Sequence, residues 1–190
     1  MCSETKDKIV AAMRELMGQR PIRKITVQDL MARANMKRQS FYYHFQDIYD
    51  VLNFAVERQF FTLLAYNPRQ SSEEWFSVCL RLLDADRAFY RKVINAIGRS
   101  KTIQRCTSVF QPQMLRLMYG DGKAYEQLGE DEKFAVDFLT YALISYLIDN
   151  VLGHEPLDTE LGLRRIMVSC SAAARFSLPN RTAMPAQRLA

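Results

Sequence analysis

The sequence predicts an all-α protein in which an N-terminal three-helix helix-turn-helix domain precedes a larger helical bundle. Three observations carry this prediction. Apolar residues recur at helical spacing from Thr5 to Phe176, with no stretch of strand-like alternation. Three helical segments, two of them short, fit into the first quarter of the chain, and a tight turn joins the second to the third. The charge is divided as well: residues 1–46 hold nine Lys or Arg against four Asp or Glu, whereas the remaining 144 residues hold 17 of each. A positive field beside a neutral body suits a nucleic-acid-binding segment joined to a second unit, and it equally suits a solvated basic face.

The first helix follows from Ile9, Ala12, Met13, Leu16 and Met17, which share one face until Gly18 and Pro21 end the run. Thr26 is a good N-cap for a short second helix bearing Val27, Leu30, Met31 and Ala34. Asn35 follows, a residue that tolerates the left-handed backbone a tight turn needs. A third short helix is expected from Lys37 to His44. Asp47 then caps a long helix with Ile48, Leu52, Ala55, Val56, Phe60 and Leu63 in one stripe, expected to end near Asn67-Pro68.

The larger unit reads as helical throughout. Ser71 and Glu74 form a capping-box pattern ahead of Trp75, Phe76, Val78, Cys79 and Leu82. Further helices are predicted from Phe89 to Ile97, from Thr102 to Tyr119 with a kink or break at Pro112, from Asp131 to Leu152, and from Thr159 to Phe176. The segment 131–152 is apolar around nearly its whole circumference and needs covering on several sides. The last helix carries small residues from Ser169 to Ala174, which permit close approach of a partner. The domains are therefore placed at 1–46, 47–178 and a loose tail at 179–190.

The composition narrows the function. A hydrophobic content of 48% supports a buried core. The N-terminus shows no apolar run of signal-peptide length and no stretch reaches the roughly 20 uncharged apolar residues of a membrane span, so a cytoplasmic protein without membrane contact is expected. Cys2, Cys79, Cys106 and Cys170 are far apart and form no CxxC pair, which favours free thiols over a disulfide or metal site. The two histidines, His44 and His154, are distant, and no glycine-rich phosphate loop or GxSxG occurs. No catalytic residue, metal or cofactor is therefore assigned, and the protein is not expected to be an enzyme.

The stretch SFYYHF at residues 40–45 places four aromatic rings directly after Lys37 and Arg38. Phe41 and Phe45 lie four apart and share a helix face, so they are expected to point into a small core with Leu16, Leu30 and Leu52. The segment ITVQDLMARANMKRQSFYYHFQDIYDVL, residues 25–52, resembles the DNA-binding region of TetR-family transcriptional regulators. Ile25-Thr26-Val27, Leu30, Ala34, Phe41-Tyr42, His44-Phe45 and Leu52 all match that family's pattern. Three positions depart from it: Asn35 replaces the turn glycine, Met36 replaces a valine, and Ile48 stands where a lysine is usual, removing one expected phosphate contact. RQSFYYHFQDIYDVL with DADRAFYRKVINAIGRS is similar, more loosely, to the dihydroxyacetone kinase regulators of that family, a group for which repression is not to be assumed.

The resemblance implies roles residue by residue. Thr26 and Tyr42 resemble phosphate contacts, and Lys37, Arg38, Gln39, Ser40 and Tyr43 form the groove-facing set. Gln39 suits adenine and Arg38 suits guanine or phosphate. His44 fits either a phosphate donor or a structural residue; Lys6, Lys8, Arg20, Arg23 and Lys24 read as general positive field. The family further implies a homodimer through residues 131–152 and 159–176, double-stranded DNA with an inverted-repeat operator as partner, and a small-molecule effector or a partner regulator. Trp75, Phe89, Phe110, Met114, Met118, Phe138 and Tyr141 are the candidate effector-pocket residues, a set that ordinary core would also explain. The competing reading is a DNA-bound structural or protein-interaction factor of the same fold without an effector.

Overall fold

The computed structural model of the chain describes residues 2–65, 67, 69–155 and 157–177, with side chains from residue 4 to residue 172. The tail expected at 179–190 lies outside the described residues. Among those described, the fold is all-α. Helix α1 (Cys2–Gln19) leads through a 3-10 turn (Ile22–Lys24) to α2 (Val27–Arg33) and α3 (Arg38–His44), the helix-turn-helix pair. Helix α4 (Ile48–Val56) passes to the bundle, formed by α5 (Ser72–Ala85), α6 (Arg87–Ile97), α7 (Arg99–Tyr119), α8 (Glu130–Leu152) and α9 (Thr159–Ser177).

Local chemistry sets most of these boundaries. The Thr26 hydroxyl accepts from the Asp29 amide while the Asp29 carboxylate accepts from the Thr26 amide, a reciprocal cap that starts α2. Ser71 and Glu74 make the same exchange at α5. Asn35 has a φ of 53°, and its neighbour Met36 donates its amide to the Met31 carbonyl to close the turn into α3. Gly98 and Gly120, both at positive φ, bound α7.

Two boundaries differ from the sequence expectation. The stripe that begins at α4 does not continue as one regular helix to Asn67; a π-helical turn, Glu57–Phe61, follows directly, and the Glu57 carbonyl accepts from both the amide and the hydroxyl of Thr62. The wider turn inserts an extra residue and rotates the following side chains, so Leu64 is buried and Leu63, expected inside, is exposed. Helix α7 starts at Arg99 and runs unbroken through Pro112.

The first three helices close over Leu16, Leu30, Phe41, Phe45 and Leu52, all buried, with Phe41 and Phe45 rings 5.9 Å apart. In the bundle, α7 packs against α8 and α9, and α5 against α9. Trp75 anchors the centre: its indole donates to the Leu64 carbonyl at 2.9 Å and its ring meets Phe110 edge-on at 5.1 Å. Helix α6 joins the two halves. Lys92 donates to the Met17 carbonyl at the end of α1, and Asp86 just ahead of α6 pairs with Arg14. Arg87 and Arg91 donate to the last carbonyls of α8, where cations favourably meet the helix C-terminus.

By length and composition α8 is apolar enough to cross a membrane, with a mean hydropathy of 1.4, yet only 39% of its most apolar stretch is buried. The exposed share is concentrated. Phe134, Phe138 and Tyr141 are 69%, 60% and 59% exposed on one face, while Val136, Thr140, Leu143, Ile144, Leu147 and Val151 face the bundle. Phe134 and Phe138 stack at 5.9 Å.

Candidate nucleic-acid interface

Helix α3 is built to hold one face in and present the other. Phe41 and the following Phe45 fill the core, which forces residues 38, 39, 42 and 43 outward at helical spacing. Tyr42 is 55% and Tyr43 83% exposed, values that rule out a core role for either ring. Lys37, at the N-cap, and Arg38 and Gln39 in the first turn are exposed; Ser40 is half-buried. From Lys37 to Gln46 there is no carboxylate. Arg38 donates to the Tyr42 hydroxyl at 3.2 Å, four residues on, which aligns its guanidinium along the helix surface. His44 is half-buried with its ring edge-on to Tyr43 at 4.9 Å.

Thr26 lies on the surface at the start of α2, but its hydroxyl donates to Asp29 at 2.7 Å. Those hydrogen bonds, and then Arg20, hold the Asp29 carboxyl below its ordinary range. The Thr26 hydroxyl and amide are therefore both committed to Asp29, whose carboxylate opposes an anion at this helix end. The start of α4 is occupied differently. Asp47 accepts from the Asp50 amide at 2.8 Å, Asp50 accepts from the Gln46 amide at 3.1 Å, and Ile48 is buried. A buried apolar side chain thus stands where the family pattern places a lysine, with two carboxylates beside it.

The structure also sorts the five basic residues read as general field. Lys8 pairs with Glu4, Arg20 pairs with Asp29, and Lys6 lies over the Phe45 and Phe54 rings. Arg23 and Lys24 project into solvent from the 3-10 turn, which Ile22 and Ile25 pin to the core.

An apolar cavity of about 70 Å³ lies in the bundle, walled by residues including Phe60, Phe61, Tyr90, Cys106, Phe110 and Ile148. Of the seven candidate pocket residues, Phe110 alone is on this wall. Trp75, Phe89, Met114 and Met118 are buried core, and Phe138 and Tyr141 are placed on the exposed face of α8. The periodicity of an almost uniformly apolar helix does not distinguish its inward face from its outward one. Burial pushes the Cys106 thiol up to about 12. Cys79, Cys106 and Cys170 are free, and among the described residues no cluster of three His, Cys, Asp or Glu could hold a metal ion.

Comparison with known proteins meets this geometry at the same place. Residues 9–53 match the bacterial regulatory proteins of the tetR family. The HTH-type dhaKLM operon transcriptional activator DhaS of Lactococcus lactis subsp. lactis (strain IL1403) is 32% identical over 92 residues, which cover 47% of this chain and 48% of that protein. The chain thus spans about half the length of the curated relative it matches. A solved structure, the dihydroxyacetone kinase operon activator DhaS, superposes with a TM-score of 0.72 over 90% of this chain and 97% of its own, at 20% identity, which establishes a shared fold. The motif, the helix-turn-helix geometry and the family match all fall on the same segment: the N-terminal domain of this protein is a TetR-family helix-turn-helix domain, followed by a helical C-terminal domain.

Proposed function

We propose that the protein is a transcriptional regulator that binds an inverted-repeat operator as a homodimer, with residues 1–46 as the reading domain and 47–178 as the regulatory and dimerisation domain. The observation that carries this reading is the outer face of α3, where Lys37, Arg38, Gln39, Tyr42 and Tyr43 are exposed with no carboxylate among them. Lys37, Arg38 and Tyr42 take phosphates, Gln39 and Arg38 reach base edges, and Ser40, Tyr43 and His44 complete the surface. The outward face of α8, with the small residues and exposed Val168 of α9, is the dimer surface. Two-fold pairing would put two reading helices one DNA turn apart, roughly 34–36 Å. Such a protein works in the cytoplasm, and catalysis is no part of its role.

The name of the Lactococcus lactis relative, a transcriptional activator, supports positive control of this protein's target genes. The cavity speaks to how it is controlled. At about 70 Å³ it is roughly half the 150 Å³ of an engineered cavity that admits benzene, and far below drug-sized pockets. This favours control by a partner protein or by a ligand bound elsewhere over a large effector in the bundle. The test is selection of genomic fragments by the purified protein beside a Lys37→Ala, Tyr42→Ala double variant. Enrichment of one inverted repeat, lost in the variant, is expected; equal recovery by both proteins contradicts the reading.

A further inference from the structure

A groove of about 680 Å³ lies where the end of α1 and the 3-10 turn meet the starts and ends of their neighbours: Arg20 and Arg23 line it on one side, Tyr49 of α4 lies at its edge, and Lys92 and Asn95 of α6 form the other wall. Three of its lining residues are cationic and none is acidic. The local charge is therefore positive even though α6 belongs to the larger part of the chain, residues 47–190, whose charges balance.

The cations are held in place with donors to spare. Arg20 is fixed by Asp29 at 3.0 Å, while its Nε is buried and makes no hydrogen bond. A buried guanidinium N–H without an acceptor is costly, so Arg20 carries hydrogen-bonding capacity that Asp29 does not use. Lys92 gives one N–H to the Met17 carbonyl, and an ammonium carries three. Arg23 is exposed, and Asn95 and Gln19 add neutral donors at the rim. The single carboxylate in contact with this group, Asp29, is already engaged by the Thr26 cap as well as by Arg20.

We propose that this groove is a binding site for a small phosphate-bearing molecule, gripped by Arg20 and Arg23 from the reading domain and by Lys92 from α6. Guanidinium and ammonium groups converging from several directions suit the multiple oxygens of a phosphate, through charge-assisted hydrogen bonds. Because its ligands come from both halves of the chain, an occupant fixes the reading domain in one orientation to the bundle. Occupancy then shifts DNA affinity by as much as the ligand discriminates between orientations. This site is separate from the apolar cavity and from the α3 surface.

The test uses the full chain without DNA, titrated with inorganic pyrophosphate at constant ionic strength set with sodium chloride, and followed by calorimetry and thermal unfolding. Saturable binding at one site per chain is expected. Arg23→Gln and Lys92→Gln should each weaken it by about tenfold, the loss of a hydrogen bond to a charged group, while Lys101→Gln, an exposed cation on α7, leaves it unchanged. Glutamine at 92 keeps a donor for the Met17 carbonyl, and Arg23, on the surface, tests the site even if the Lys92 variant does not fold. Binding that never saturates, or that responds equally to all three substitutions, overturns the proposal in favour of a diffuse field. Absence of pyrophosphate binding together with a fall of about 0.9 in the salt slope of DNA binding for Arg23→Gln also overturns it, assigning the groove to the DNA backbone.

Discussion

Thr26 has both its hydroxyl and its amide tied to Asp29, so its first consequence is for the stability of α2. Thr26→Val should cost about 1 kcal/mol, measured by chemical denaturation at neutral pH. The same pair sets a pH signature. The folded Asp29 carboxyl is held below its ordinary range, chiefly by the Thr26 hydrogen bonds, so its contribution is present above the unfolded carboxylate pKa and is lost as pH falls through the folded one. Thermal unfolding of Thr26→Val between neutral and acid pH should show a shallower acid-side decline than the parent; an equal decline would deny the pair that role. On α3, contacts divide by what they touch. Lys37→Ala should lower the salt slope of DNA binding by about 0.9 for all sequences, whereas Gln39→Ala should cost about 1–3 kcal/mol on the specific site alone. The outward placement of residues 38, 39, 42 and 43 was legible in the sequence because burial of Phe41 and Phe45 fixes where their neighbours point. The Thr26 cap was legible too; its second reading as a phosphate contact was not separable from it in the sequence, since a cap and a phosphate contact require the same residue type.

At the scale of elements, caps and turns with their own chemistry were readable: Thr26, Ser71, Asp47 and Asn35 each sit where the sequence places them. Asn35 allows a direct check. Its φ of 53° makes Asn35→Gly close to neutral and Asn35→Ala destabilising by about 1 kcal/mol, a difference visible in denaturation midpoints. The π turn at Glu57–Phe61 was not readable. A single extra residue changes no local preference, and it is the packing of Phe60 and Leu64 on the bundle that selects it over a regular turn. Pro112 illustrates the same point: of the kink or break that propensity allows there, the break does not occur, because α7 is held along its length by α8 and α9. The cavity wall offers another measurement. With its thiol pushed up to about 12 by burial, Cys106 should react with iodoacetamide at pH 8 far more slowly in the folded chain than in denaturant.

At the scale of the whole molecule, the central uncertainty of an all-round apolar helix is which face meets its own chain. The sequence established that α8 needs covering on several sides, and the structure leaves Phe134, Phe138 and Tyr141 outward. If that face is the dimer surface, Phe138→Glu should shift the protein to monomer in sedimentation velocity and weaken operator binding while leaving the helical content unchanged. A variant that remains dimeric would move the interface elsewhere. The proposed regulator needs two copies of α3 to read two halves of one site. The most direct test is hydroxyl-radical footprinting on the selected DNA fragment. It should show two symmetry-related protected patches with centres roughly 34–36 Å apart, both weakened together by Phe138→Glu. A single patch, or protection that spreads without a repeat, would contradict it.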